Sequence, residues 1–253
     1  MSSKRVLFVA EGKTDIKIII GLYQKVLGLL DEEITTFRYK TNIYVLYDDI
    51  IENPDATFLS LLWEKDKSQF PDDIIKPDDT FSSVYLIFDF EPQDPLFSLM
   101  KCQFLINYFA DETRNGKLYY NYPMLESIYD FTSLNFRYFE NRLIPSAKCN
   151  SDTYKAYVHT TSKLSKNGHI PTKLGNQIIY AVILLHMRKH DCLAKRTYNP
   201  RWPQPSSQEQ ILKAQKKCMK NDEVSIINTS VLLIPDYSID ALNALKLITY
   251  LTR

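Results

Sequence analysis

The sequence has little glycine and no close pair of cysteines. Six of its 253 residues are glycine, so a glycine-rich disordered tail is not expected. Its four cysteines lie far apart without a C-x-x-C spacing, and its four histidines share no ligand pattern with them. This distribution predicts reduced, structural cysteines in a cytoplasmic protein.

The chain also lacks a strong net charge and a long apolar run. Because its formal net charge is +1, any nucleic-acid site must be a local patch. The apolar stretch at 178–187 is about half the length of a membrane span. The apolar run at 5–10 is too short for a signal peptide and is followed by an acid. We therefore expect a soluble protein with no membrane partner.

What remains is an ordinary globular composition, 45% hydrophobic and 24% charged, in a chain long enough for a sizeable core. The first half alternates strand-like and helix-like segments, which is typical of an open α/β sheet. Apolar runs predict strands at 5–10, 41–49, 82–91 and 116–127, and residues spaced by three and four predict helices at 15–30 and 95–111.

The second half is expected to be largely helical, with its strongest helix at 174–190. Further along, the patterns predict a helix at 207–221, a strand at 223–237 and a helix at 238–251. We therefore expect an α/β core over residues 1–135, with an insertion at about 50–80, and a mostly helical extension over residues 136–253. The extension packs on the core, or the two form one continuous domain.

Acidic residues follow two of the predicted strands. Glu11 ends the first strand, and Asp89 and Glu91 end the third, with Asp94 close behind. Parallel strands place their carboxyl ends at one edge of a sheet, where ligands bind. If the two strands are neighbours, these acids meet, and a cation must neutralise their repulsion. Oxygen ligands of this kind suit Mg²⁺ or Mn²⁺.

The motif "VAEG" after a strand, with acid-x-acid closing a later strand, resembles the TOPRIM domain. That domain occurs in type IA topoisomerases, bacterial primases, recombination proteins and the nuclease halves of overcoming-lysogenization-defect (OLD) proteins. The resemblance covers about residues 5–130. It implies a mostly parallel sheet flanked by helices, with Glu11, Asp89 and Glu91 binding Mg²⁺ for phosphoryl transfer. Glu91 stands where the family usually has Asp, and the segment between Glu11 and Asp89 is long for this fold.

The segment "EGKTD" is similar to the OLD-type and phage-defence branches, which carry a catalytic lysine in a later helical segment. Here "SKLSKNGHIPTK" offers Lys163, Lys166 and Lys173 without singling one out. The same lysines and Lys13 are candidate contacts to nucleic acid. Glu126 is either an acid at the start of a helix or a ligand of a second metal site.

The resemblance implies a Mg²⁺-dependent nuclease that acts on DNA or RNA, with tRNA among the candidates. It also implies an effector of bacterial anti-phage defence or a toxin-like system, with an ATPase partner encoded nearby and self-association left open. The alternative is a catalytically silent subunit of the same fold that binds an ATPase or nucleic acid. A phosphate-binding loop is disfavoured because the pattern GxxxxGK[ST] needs glycine where Leu7 stands. A receiver-like fold is also disfavoured, because it needs two acids directly after its first strand and this chain has one, Glu11.

Overall fold

The computed structural model describes residues 5–27, 34–72, 74, 80–164, 175–199 and 205–238. Its strands are β1 (Arg5–Ala10), β2 (Ile34–Arg38), β3 (Phe81–Asp89), β4 (Ala110–Asp111), β5 (Gly116–Tyr122), β6 (Leu143–Pro145), β7 (Glu223–Ser225) and β8 (Ile227–Asn228). Its helices are α1 (Lys13–Leu27), α2 (Ile43–Glu52), α3 (Phe58–Asp66), α4 (Leu99–Tyr108), α5 (Phe136–Glu140), α6 (Ser151–Thr161), α7 (Asn176–Leu193), α8 (Gln208–Cys218) and α9 (Leu233–Tyr237).

One mixed sheet, mostly parallel, organises the described chain. Its strands run in the order β2-β1-β3-β5-β4, and β8 also pairs with β5. The pairs β1–β2, β1–β3 and β3–β5 are parallel, whereas β4 and β8 run antiparallel to β5. The expected α/β class is therefore confirmed, with helices flanking the sheet and a largely helical C-terminal part. The condition for the acids to meet is also satisfied, because β1 and β3 are neighbours.

The central strands are buried because their side chains are apolar on both faces. Leu7, Val9 and Leu86 are fully buried. Helix α1 covers one face: the ring of Tyr23 stacks on Phe8 at 5.2 Å between centroids. In the described residues, no helix combines the length and the apolar character needed to cross a membrane.

The strand predicted at 41–49 is wrong, because these residues form α2. Asn42 caps this helix through its side-chain oxygen, which accepts hydrogen bonds from the backbone N–H groups of Tyr44 and Val45. The apolar, β-branched and aromatic content of the segment favours a strand, but its buried positions follow the helical period. The second strand is instead β2. The buried residues of α2 are Ile43, Tyr44, Leu46 and Ile50.

Other predicted elements differ mainly at their ends. Helix α4 begins at Leu99 because Ser98 caps it, four residues later than the start predicted from Pro95. The strand predicted at 223–237 is wrong in its second part, which forms α9 after two short strands. The helix predicted at 238–251 lies almost entirely outside the described residues. Helices α7 and α8 confirm the predictions at 174–190 and 207–221, and Ser207 caps α8 by accepting from Gln210 N at 3.3 Å.

A buried carboxylate ties α6 to the end of the sheet. Asp130 follows the 3₁₀ helix Leu125–Tyr129, and its side chain is fully shielded from solvent. One oxygen accepts from the Arg142 guanidinium at 3.0 Å, and the other accepts from the Tyr154 hydroxyl at 3.0 Å. Since Tyr154 lies on α6, Asp130 fixes this helix against the chain that leaves β5.

We expect Asp130→Ala to destabilise the fold by about 3 kcal/mol, because it leaves the buried Tyr154 hydroxyl without its acceptor and the half-buried Arg142 guanidinium without its carboxylate. Urea denaturation followed by circular dichroism measures this change. Glu64→Ala, at an exposed position of α3, is the control and should change stability by less than about 0.5 kcal/mol. Equal stability of the two variants would contradict the role assigned to Asp130.

Candidate functional site

Glu11 lies at the junction of β1 and α1. The chain turns there through Gly12, whose backbone N–H donates to Asp15 Oδ2 at 2.8 Å. A Cβ at position 12 would lie 3.0 Å from the same oxygen, so glycine permits this close approach. The Glu11 carbonyl accepts from Lys40 N at 3.1 Å, which extends the pairing of β1 beyond its last residue. The sheet edge thus holds Glu11 half-buried beside Asp15.

Asp89 and Glu91 leave the adjacent strand β3. The Asp89 carboxylate accepts from Leu125 N at 2.8 Å, and Phe90 between the two acids is fully buried. Glu91 has φ of 36°, which is unusual for a residue other than glycine. Its backbone N–H donates to the carbonyl of Pro123 at 3.2 Å. The hydrogen bond from Glu91 N to the loop after β5 therefore holds this strained residue in place at the end of β3.

Glu126 lies in the loop that leaves β5, within the 3₁₀ helix Leu125–Tyr129. Glu126 is 7% exposed. Its Oε2 atom is shielded from solvent and has no hydrogen-bond partner in the described part of the chain. Three neighbouring strands thus deliver acids to one edge. We call the following set the acidic cluster: Glu11, Asp15, Asp89, Glu91 and Glu126.

The pKa values of the acidic cluster are all raised. Burial and then the charges of Glu91 and Asp15 raise the pKa of Glu11 to about 7. Burial, followed by the charges of Asp15 and Glu126, raises the pKa of Asp89 well above its ordinary value. Burial is also the main cause that raises the pKa of the other three acids. The carboxylates therefore share one environment that disfavours full ionisation.

Lys155, on α6, brings a positive charge to this edge. Its Nζ lies 3.6 Å from Glu126 Oε1. Burial alone would lower the pKa of Lys155, but the carboxylates of Glu126, Asp89 and Asp15 raise it above its ordinary value. Lys155 in turn opposes the rise in pKa of four of the acids. It is therefore a protonated amine that faces an excess of negative charge.

The structure brings together the predicted ligands Glu11, Asp89 and Glu91, and Glu126 joins them. Asp94 lies at the rim, where its side chain accepts from Asn42 Nδ2 at 2.7 Å and from Leu96 N at 2.7 Å. These bonds order the turn before α4. The charge of Asp94 still acts on the cluster, since after burial it is the largest cause that raises the pKa of Glu91.

The predicted lysines are not part of the acidic cluster. Lys13 is exposed at the first residue of α1. Lys163 is exposed just after α6, where its backbone N–H donates to Phe131 O at 2.9 Å. Among the described residues, no ion pair links Lys163 to the acidic cluster. Lys166 and Lys173 lie outside the described residues.

Sequence reasoning missed two members of the site. Asp15 lies one helical turn after Glu11 in "EGKTD", which is a usable signal in the sequence. Lys155 carries no local signal, because it is one lysine in a short amphipathic helix. Its role depends on how α6 packs against the chain after β5, which the sequence pattern does not reveal.

In the described part of the chain, no group of three or more His, Cys, Asp or Glu side chains is arranged to hold a metal ion as it stands. The donor chemistry nevertheless fits Mg²⁺ or Mn²⁺. The acidic cluster supplies only hard carboxylate oxygens, and the Oε2 atom of Glu126 is without a partner. A divalent cation would relieve the repulsion that raises the pKa values.

Comparison of the chain with protein-family models, with curated proteins and with solved structures finds no match.

Because the pKa of Glu11 is raised from 4.5 to about 7, its ionisation disfavours the folded state, and this effect develops as the pH rises through that window. We expect Glu11→Gln to raise the Tm of the protein in EDTA at pH 8 by several degrees, corresponding to about 1–3 kcal/mol. The gain should shrink below pH 4.5, where the native carboxyl is already neutral. Differential scanning calorimetry across this pH range measures both effects.

The control is Glu52→Gln, at an exposed position of α2, which should leave the Tm and its pH dependence unchanged. A Tm for Glu11→Gln at or below that of the parent at pH 8 would show that Glu11 is a stabilising structural acid instead.

Proposed function

We propose that this protein is a divalent-metal-dependent nuclease whose active site is the acidic cluster with Lys155. The observation that carries the proposal is the convergence of acids with raised pKa values, four half-buried and Glu126 buried, at the carboxyl edge of three neighbouring parallel strands. Perturbed carboxylates of this kind concentrate at functional sites. The edge is also where α/β sheets bind their ligands.

A purely structural role fits this cluster poorly. Buried acids that stabilise a fold are normally paired or fully hydrogen-bonded, as Asp130 is. Among the described residues, five acids face one lysine, which leaves an excess of negative charge and an unpartnered oxygen on Glu126. Such an arrangement costs stability unless a cation offsets it, so it is better understood as a site that awaits one.

Glu11, Asp89 and Glu91 would hold the cation, as the TOPRIM resemblance implies, and Glu126 would serve a second ion. When bound, the cation polarises a phosphodiester and lowers the pKa of a water nucleophile. Lys155 remains protonated beside the acids and would donate a hydrogen bond to the leaving oxygen as negative charge develops there. Among the described lysines, it fits this role better than Lys163 because it lies against Glu126.

The OLD-type resemblance of "EGKTD" extends the proposal to a defence-associated nuclease that is gated by an ATPase partner. The sequence offers no complete phosphate-binding loop of its own, since Leu7 stands where glycine is required. Purified protein should therefore cleave tRNA or plasmid DNA slowly alone and faster with the product of an adjacent ATPase gene. Robust cleavage by the isolated chain would contradict control by an ATPase partner but would leave the proposed metal site standing.

We expect millimolar Mn²⁺ or Mg²⁺ to raise the Tm of the parent protein, because binding to the native state alone stabilises it by about 2.7 kcal/mol at one hundred times Kd. Glu11→Gln, Asp89→Asn and Glu91→Gln should each abolish this shift and the metal-dependent cleavage. Pairs of these changes should cost little more than each alone, since members of one catalytic unit are not additive.

Glu52→Gln is again the control and should keep the full Mn²⁺ shift. If Mn²⁺ does not change the Tm of the parent protein and the protein still binds DNA or RNA, the catalytically silent subunit is favoured over the nuclease.

Lys155→Met should lower kcat on nucleic acid by about 10²-fold or more, because the leaving oxygen loses its cationic donor. The loss should be much smaller on bis(p-nitrophenyl) phosphate, whose leaving group is already a stable anion. The Mn²⁺-induced rise in Tm should persist. Equal loss of rate on both substrates would contradict a role at the leaving group.

A further inference from the structure

Arg38 lies at the same sheet edge as the acidic cluster. It is the last residue of β2 and pairs in register with Ala10, the residue before Glu11. Its backbone is held from both sides by one side chain: Arg38 N donates to Gln69 Oε1 at 2.8 Å, and Gln69 Nε2 donates to Arg38 O at 3.1 Å. The base of the Arg38 side chain is therefore fixed at the rim of the site.

The guanidinium group of Arg38 makes no hydrogen bond or ion pair to any of the described residues, and its Nε atom is shielded from solvent without a partner. Three lysines in the same half of the chain are, by contrast, paired with acids. Lys40 contacts Asp66 at 2.8 Å, and Lys65 and Lys101 contact acids of α2 at 2.8 and 2.7 Å. A half-buried arginine without a partner is unusual, since desolvating such a group is unfavourable unless it is hydrogen-bonded.

Arg38 lies within electrostatic reach of the acidic cluster without joining it. Burial raises the pKa of Asp15, and the charge of Arg38 acts in the opposite direction as the weakest of the named influences. The two side chains form no ion pair in the described structure. The arginine thus keeps its donors available beside acids that would otherwise repel an approaching anion.

A second unpartnered donor follows in the same loop. The hydroxyl oxygen of Thr41 is shielded from solvent and has no hydrogen-bond partner among the described residues. Lys40 between them adopts φ of 72°, a backbone conformation that redirects the chain after β2. In the part of the chain that the structure describes, this loop therefore carries an arginine fork and a hydroxyl without partners, next to the proposed catalytic edge.

We propose that the guanidinium of Arg38 forms a subsite for a backbone phosphate of the nucleic acid, adjacent to the phosphodiester bond that is cleaved. The inference rests on the proposed nuclease function and names the part of the substrate that this loop holds. A guanidinium binds phosphate oxygens through two parallel hydrogen bonds. Such a subsite positions a polymer and offers nothing to a substrate with a single phosphate.

The test compares Arg38→Met with Arg114→Met, a matched control at an 82% exposed arginine near the opposite edge of the sheet. Cleavage of a short oligonucleotide by Arg38→Met should show KM raised about tenfold or more, with kcat changed much less. Arg38→Lys should fall between the parent and Arg38→Met, because it keeps the charge and loses the fork. Cleavage of bis(p-nitrophenyl) phosphate and the Mn²⁺-induced rise in Tm should both stay at the parent values.

An unchanged KM for the oligonucleotide in Arg38→Met would overturn the subsite. So would an equal loss on both substrates, which would mean that Arg38 supports the acids and does not bind phosphate. Fluorescence anisotropy of a labelled oligonucleotide separates this inference from the nuclease proposal. If the parent neither binds Mn²⁺ nor cleaves but still binds the oligonucleotide more tightly than Arg38→Met does, the phosphate subsite stands and the nuclease proposal fails.

Discussion

The crowding of partly and fully buried carboxylates at one edge of the sheet is the constraint on which the proposed site depends. The chain places five acids where burial raises every pKa, and for all but Asp15 a neighbouring carboxylate adds to the rise. It offers Lys155 as a counter-charge against Glu126. A fold selected for stability alone would replace several of these acids with neutral side chains. The cluster is therefore best explained by a ligand that supplies positive charge, and a divalent cation matches the all-oxygen donor set.

The order of the strands in the sheet brings the acids of the cluster together. Parallel pairing of β1 with β3, and of β3 with β5, places three carboxyl-terminal strand ends side by side. The bonds of Asp130 to Arg142 and Tyr154 then fix α6 beside the loop after β5, which brings Lys155 to Glu126. Arg38 ends the next strand on the other side. Acids therefore occupy the centre of the edge, with Lys155 on one flank and Arg38 on the other. The proposed function places the cleaved phosphodiester beside Lys155 and the adjacent phosphate beside Arg38.

Glu11, Asp89 and Glu91 could be predicted from the sequence because they lie at the ends of buried apolar strands, and only the adjacency of β1 and β3 was needed to bring them together. Segment 41–49 could not be assigned correctly, since its apolar content fits a strand and only the Asn42 cap and the buried face of α2 reveal a helix. Lys155 and Arg38 were beyond sequence reasoning for a related reason. The roles proposed for these two residues depend on which side chains they contact, and tertiary packing, not the local sequence pattern, determines those contacts.

The most direct measurement of the central claim is the anomalous diffraction of crystals grown with Mn²⁺. The account predicts a peak among the carboxylates of Glu11, Asp89 and Glu91, with Glu126 beside a second peak at higher Mn²⁺ concentration. The peak should be absent from crystals of Glu11→Gln prepared in the same way. Fully ordered carboxylates with no anomalous density between them, at millimolar Mn²⁺ and neutral pH, would contradict the assignment of this edge as a metal-dependent active site.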